Sequence, residues 1–233
     1  MNRVLEREWL DHLPAHDRAA KGSRNDLRRL NALMGNTKIL FSAIEPLLRR
    51  TTSTCRIAEV GAGDGTLMLK LARKLSPVLQ RVEATLIDRV HVVEFTTLQE
   101  FDAIGWSVQI IESDLWDWIR HSGQGHVDIV IANLILHHFS NDEIRRLLDY
   151  FSTHSRIFIA CEPRRSKLGI GAARLSGLVG CNRVTRHDAV VSVRAGFDNT
   201  ELSQLWPNDP SWMLRETRAG WFSHLFTAKN TAL

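Results

Sequence analysis

Residues 57–72 read IAEVGAGDGTLMLKLA. An apolar run enters a turn containing Gly61, Gly63 and Gly65, then passes into Leu67, Met68, Leu71, Ala72 and Leu75, which share one face of a helix. Glycines in such a turn allow positive φ and close approach of a ligand to the backbone, and the helix start offers unpaired N–H groups. A dinucleotide-binding turn has a related form. Here Glu59 places a carboxylate just before the first glycine, where it would repel a pyrophosphate and attract an ammonium group.

From Arg56 onward, short apolar runs alternate with amphipathic segments, the pattern of βαβ units around a parallel sheet. Strands are expected at 56–60, 82–87, 106–111, 127–132 and 156–161. Val92, Val93, Leu98, Phe101 and Ile104 predict a helix ended by Gly105, and Ser140 with Glu143 predicts a capping box before Ile144, Leu147, Leu148 and Phe151. Residues 164–205 read as mostly helical, with Thr185 expected to cap a helix that carries His187 and Asp188 in its first turn. Residues 212–217 and 221–228 read as two strands joined by Arg218-Ala219-Gly220, which would add an antiparallel member to the sheet. Residues 1–50 read as a helical lid or brace, from the spacing of Leu27, Leu30, Leu33 and Met34 and then of Ile39, Leu40, Ile44, Leu47 and Leu48 after Gly35.

The chain's 233 residues suit one α/β domain with an elaborated cover. A hydrophobic fraction of 44% with 24% charged residues excludes disorder and fibrous repeats. Apolar runs are too short to span a bilayer, and residues 1–20 lack the continuous apolar segment of a secretory signal, so a cytoplasmic protein is expected. Cys55, Cys161 and Cys181 stand far apart with no CxxC pair, which argues against a zinc site or disulfide framework; no metal is expected. The net charge of +4 permits nucleic acid without favouring it. Arg28, Arg29, Arg49, Arg50, Arg73, Lys74, Arg145, Arg146, Arg164 and Arg165 are scattered over the polar sides of predicted helices, the pattern of a solvated face.

EVGAGDG at 59–65, TLID at 85–88, SDLWDW at 113–118, DIVIANLILHHF at 128–139 and IFIACEP at 157–163 occur in the order of the class I S-adenosylmethionine-dependent methyltransferases, and the chain resembles that family over about 100 central residues. The resemblance implies a Rossmann-like, seven-stranded, mostly parallel sheet with an antiparallel terminal hairpin strand and helices on both faces. The methyltransferase domain would occupy 51–233, with substrate-cover helices at about 164–205. The cofactor would be S-adenosylmethionine. Gly61, Ala62 and Gly63 would line its methionine part, with Glu59 near the amino group. Asp88, with Arg89 beside it, would take the ribose hydroxyls. Asp114 and Leu115 would meet the adenine, and Asn133 would lie under the sulfonium. LNALMGNTKIL at 30–40 and NRVTRHDAVVSVRAGF at 182–197 resemble, less specifically, a subgroup associated with type III polyketide and phenolic-lipid pathways.

Methyl transfer from a sulfonium is an in-line displacement in which alignment can do most of the work. A histidine that accepts a phenolic proton could add roughly 10²- to 10⁴-fold. His137 and His138, directly after the fourth strand, are the first candidates, and His187 is the next. Each also has an ordinary structural explanation. The glycines could simply form a turn, Asp88 and Asp114 could cap helices, and the histidines could pack or bond to backbone. The leading expectation is methylation of a hydroxyl on a small aromatic or polyketide-like acceptor, for which Trp9, Trp206 and Trp221 could supply an aromatic wall. Carbon methylation of a quinone precursor, as in ubiquinone- and menaquinone-pathway relatives, a nucleic-acid methyltransferase, a nicotinamide-dependent oxidoreductase and a non-catalytic cofactor-binding module are the competing readings.

Overall fold

The computed structural model describes residues 1–14, 16–48, 54–121 and 125–232. Arg49 and Arg50, counted above among the scattered cations and in the lid, lie outside the described residues. Seven strands form one sheet: β1 (Cys55–Val60), β2 (Val82–Asp88), β3 (Trp106–Glu112), β4 (Val127–Asn133), β5 (Ser155–Pro163), β6 (Trp212–Ala219) and β7 (Ser223–Asn230). Their order is β3-β2-β1-β4-β5-β7-β6. Pairings among β1 to β5 are parallel, and β7 runs antiparallel to both β5 and β6. This is the Rossmann-like fold with the terminal antiparallel hairpin.

Two helices precede the sheet, α1 (Arg18–Met34) and α2 (Asn36–Ile44), and Gly35 joins them at φ 72°, a left-handed conformation suited to glycine. The crossovers are α3 (Thr66–Leu75), α4 (Phe95–Ile104), α5 (Leu115–His121) and α6 (Asn141–His154). After β5 come α7 (Lys167–Leu175), α8 (Arg183–Ala195) and α9 (Glu201–Leu205).

Strand alternation divides the core between the two faces of the sheet. Ile57, Ile129, Ile131, Ile157 and Ile159 pack on one side with Leu40 and Ile44 of α2 and Met68 and Leu71 of α3. Ala58, Val60, Val130, Ala132, Phe158 and Ala160 pack on the other with Ile144, Leu147 and Phe151 of α6 and Leu202 of α9. Both faces are thereby covered, as parallel strands require. No helix among the described residues is long and apolar enough to cross a membrane.

Several local expectations change. Val92 and Val93 precede α4 in irregular chain, and only Phe101 of that helix is fully buried. Asn182 caps α8 through Thr185 N at 2.9 Å, so Thr185 lies inside the helix and Asp188 falls past its first turn. The hairpin turn is Gly220–Phe222, two residues later than expected, because pairing continues to Ala219 and Ser223. The inner face of α1 is polar: Asp26 accepts hydrogen bonds from Asn182 N and Thr185 Oγ1, while Leu33 is exposed. Periodicity marks apolar residues and is blind to a face that docks through hydrogen bonds.

Candidate active site

Parallel sheets place ligands at the carboxyl ends of their strands, in the crevice where strand order reverses. Here that crevice lies between β1 and β4. Gly61 N and Ala62 N donate to Ile87 O at 2.9 and 3.0 Å, which ties the glycine turn to the end of β2. Gly61 has φ 71°, and a Cβ there would lie 3.0 Å from Ile135, so the turn closes against the segment that follows β4.

Asp88 already serves the turn: its Oδ2 accepts from Gly63 N at 2.8 Å and its Oδ1 from Val90 N at 3.1 Å. Each oxygen keeps a lone pair for a further donor. Arg89 pairs with Asp11 at 2.7 Å. Asp114 caps α5 through Trp116 N at 2.8 Å, and Leu115 beside it is buried.

Glu59 is the unusual member. It is fully buried, and its Oε2 has no hydrogen-bond partner among the described residues. Burial first, and then the nearby charges of Asp64 and Asp88, push its carboxyl well above the ordinary range. A buried, unpartnered carboxyl oxygen beneath a glycine turn needs a donor or a cation, and an amino group supplies both. The residues present therefore fit a cofactor bearing an α-ammonium group.

On the β4 side, Asn133 Oδ1 accepts from Asn36 Nδ2 at 3.1 Å, and Asn36 Oδ1 accepts from Ser223 Oγ at 3.1 Å, a buried chain from α2 to β7. The next residue, Leu134, has φ 56°, which is strained for a branched side chain. Glu162 at the end of β5 holds that conformation. It accepts from Ile135 N at 3.0 Å, Leu136 N at 2.9 Å and His137 Nδ1 at 2.7 Å, and it is wholly buried.

The first twelve residues form a strap across this end of the sheet. Arg3 donates to Phe139 O at 2.7 Å, His137 O at 3.2 Å and Ala195 O at 2.7 Å, with its guanidinium 4.6 Å over Phe197. Asp188 accepts from Trp9 N at 2.8 Å and Leu10 N at 3.0 Å. Glu8, hydrogen-bonded by Ser192 Oγ, lies 3.5 Å from His137 Nε2.

The two adjacent histidines consequently differ. Burial alone would keep His137 neutral, but hydrogen bonds to Glu162 and Glu8 outweigh it and raise its pKa to about 9. Burial opposes ionisation of Glu8 as well, yet His137 brings its carboxyl down to about 2. Burial and the charge of His137 together hold His138 below the ordinary histidine value. An imidazolium has no lone pair to offer, so the geometry makes His137 a poor base and leaves His138, 3.7 Å from Asp11, with a free nitrogen near neutrality. Glu8, His137 and His138 also bring their ligand atoms within 4.8 Å of one another, a spacing that could hold a metal ion.

His187 sits apart on α8, its Nδ1 2.8 Å from Asp188 and its ring stacked on Trp9. Of the tryptophans proposed for an acceptor wall, Trp206 is buried in the core and Trp221 projects to solvent, which leaves Trp9. Glu8, Arg3, Asn36 and Glu162 were missed from sequence. A carboxylate closing the apolar run IFIAC was a readable sign for Glu162; the strap has no periodicity to read.

No protein-family profile matches the chain, and no curated protein matches it. Solved structures do. The plantazolicin methyltransferase BpumL in complex with SAH superposes with a TM-score of 0.66 at 15% identity, covering 92% of this chain and 91% of that one. An O-methyltransferase family protein from Burkholderia thailandensis gives 0.58 at 14% identity, covering 94% and 64%. Magnesium protoporphyrin IX methyltransferase from Synechocystis PCC 6803 with bound SAM gives 0.50 at 13%, covering 95% and 88%. The chain shares its fold with these methyltransferases.

Proposed function

We propose that the chain is an S-adenosylmethionine-dependent methyltransferase acting on a small aromatic or polyketide-like acceptor, at a hydroxyl oxygen. The observation that carries the reading is the buried, unpartnered Glu59 carboxyl beneath the glycine turn of a fold whose solved counterparts bind SAH or SAM. Glu59 and the Gly61–Gly63 backbone would hold the amino-acid end of the cofactor, Asp88 the ribose, Asp114 and Leu115 the adenine, and Asn133 the region around the sulfur. When bound, the cofactor supplies an electrophilic methyl group.

The chain's own residues supply alignment and proton handling. The Glu162–His137 pair fixes the turn after β4, and Glu8 and Arg3 fasten the strap over it, which narrows the freedom of a bound acceptor. His138 takes the hydroxyl proton on a ring nitrogen, with Asp11 near enough to favour the resulting imidazolium. No metal is part of the proposal. The cytoplasm is the proposed compartment, supported by three free, buried cysteines.

Calorimetry tests the reading. Saturable binding of both S-adenosylmethionine and its demethylated product is expected; absence of heat for either, with tight NADH binding, overturns it.

A further inference from the structure

Trp9, Arg174, Arg183, Arg186, His187 and Val190 line a cavity of about 380 Å³ between the strap and the α7–α8 cover. Among the described residues no carboxylate pairs with Arg174, Arg183 or Arg186, although the neighbouring arginines of the cover, Arg165 and Arg194, are both paired. Three guanidinium groups around one concavity repel each other, and an anion seated between them would relieve that repulsion. Their planar forks match the oxygens of a carboxylate or phosphate.

One wall of the same cavity is aromatic and held in place. The Trp9 and His187 rings stack at 3.9 Å with 10° between planes, and the Arg183 guanidinium lies 5.6 Å over Trp9. Asp188 sits buried behind this wall, accepting from Trp9 N and Leu10 N and facing His187 Nδ1, so it fastens both rings, and among the described residues it forms no ion pair with the three arginines. A rigid π-face beside three cations suits a planar ring that carries an anionic group. The strap also borders both this cavity and the candidate active site. Trp9 follows Glu8, which touches His137, and consecutive Cα atoms are about 3.8 Å apart.

We propose that this cavity binds the carboxylate or phosphate of an aromatic methyl acceptor, with Arg174, Arg183 and Arg186 gripping the anion and the Trp9–His187 stack supporting the ring. That the anion belongs to the acceptor rests on the methyl-transfer reading above; the existence of the anion site does not.

The test is calorimetric titration of the full chain with phenyl phosphate, 2-hydroxybenzoate, inorganic phosphate and phenol, with SAH titrated in parallel. At least one aromatic anion should bind roughly tenfold or more tightly than phenol, and the tighter of the two identifies the acceptor's anionic group as phosphate or carboxylate. Arg183→Gln and Arg186→Gln should each weaken that anion roughly tenfold while leaving phenol and SAH unchanged. Trp9→Ala should weaken the aromatic anions more than inorganic phosphate. Equal binding of all four probes, or wild-type anion affinity in the Arg174→Gln/Arg183→Gln/Arg186→Gln variant, overturns the site. If SAH binds and the anions do not, the site alone fails; if anions bind and SAH does not, the methyl-transfer reading alone fails.

Discussion

Glu162 Oε2 lies 2.7 Å from His137 Nδ1, and its other oxygen accepts the backbone N–H groups of Ile135 and Leu136, so one buried carboxylate sets both the charge of a histidine and the path of the chain after β4. Exchanging the oxygen that faces the histidine for an amide nitrogen leaves the buried His137 Nδ1–H without its acceptor. Glu162→Gln should lower stability in urea by about 1.5–3 kcal/mol, the range for hydrogen bonds to a charged group. An unchanged urea midpoint would show that the turn holds itself.

The His137 pair makes stability depend on pH. A histidine raised from 6.5 to about 9 in the folded protein contributes stability that is complete below about 6.5 and is lost as pH climbs through 9. Glu8, lowered from 4.5 to about 2, contributes stability that is complete above about 4.5 and is lost as pH falls towards 2. The pair should therefore contribute most between about 4.5 and 6.5. Thermal melts across pH should show an alkaline decline from 6.5 to 9 that His137→Gln flattens; parallel curves for both proteins would contradict the pairing.

Glu59 costs the empty protein stability, because a buried carboxyl oxygen there lacks a partner. Glu59→Gln should raise or preserve the melting temperature without cofactor while weakening S-adenosylmethionine at least tenfold, an opposition of stability and function common at binding sites. Loss of melting temperature with intact affinity would assign Glu59 a purely structural role.

Asp88 holds the glycine turn through Gly63 and is the proposed ribose acceptor. Asp88→Ala should cost about 1.5–3 kcal/mol of cofactor binding, roughly ten- to a hundredfold in Kd. A folded variant with wild-type affinity would remove Asp88 from the site.

His138→Asn should lower turnover of a weakly acidic phenol by about 10²-fold or more, with cofactor affinity unchanged. The defect should shrink as pH rises and for phenols already ionised in solution. His137→Asn should instead show its defect in stability. Equal losses for ionised and neutral acceptors in the His138 variant would mean that alignment alone carries the rate, and His187 would then be the next base to test.

The five parallel strands, the glycine turn and the Ser140–Glu143 capping box were legible because each depends on local pattern: alternation, glycine placement, or a serine three residues before a glutamate. The carboxylate at 59 was legible for the same reason. What escaped was long-range and polar. Glu8 meets His137 across more than a hundred residues of chain, and Asp188, expected to serve the start of its own helix, binds the strap instead. No spacing rule joins such pairs, since only the folded sheet brings them together. In the segment read as a helical lid or brace, Leu40 and Ile44 of α2 belong to the main core.

The strap is synthesised long before the segments that it binds. Trp9 must wait for Asp188, 179 residues later, and Arg3 for Ala195, 192 residues later. At translation rates of about 5–20 residues per second, that delay is on the order of ten to forty seconds. During it the nascent chain exposes Glu8 and Trp9 with nothing to hold them. The sheet from β1 to β5 can form before its cover exists, so the strap end of the protein is completed in a separate, late event of its birth.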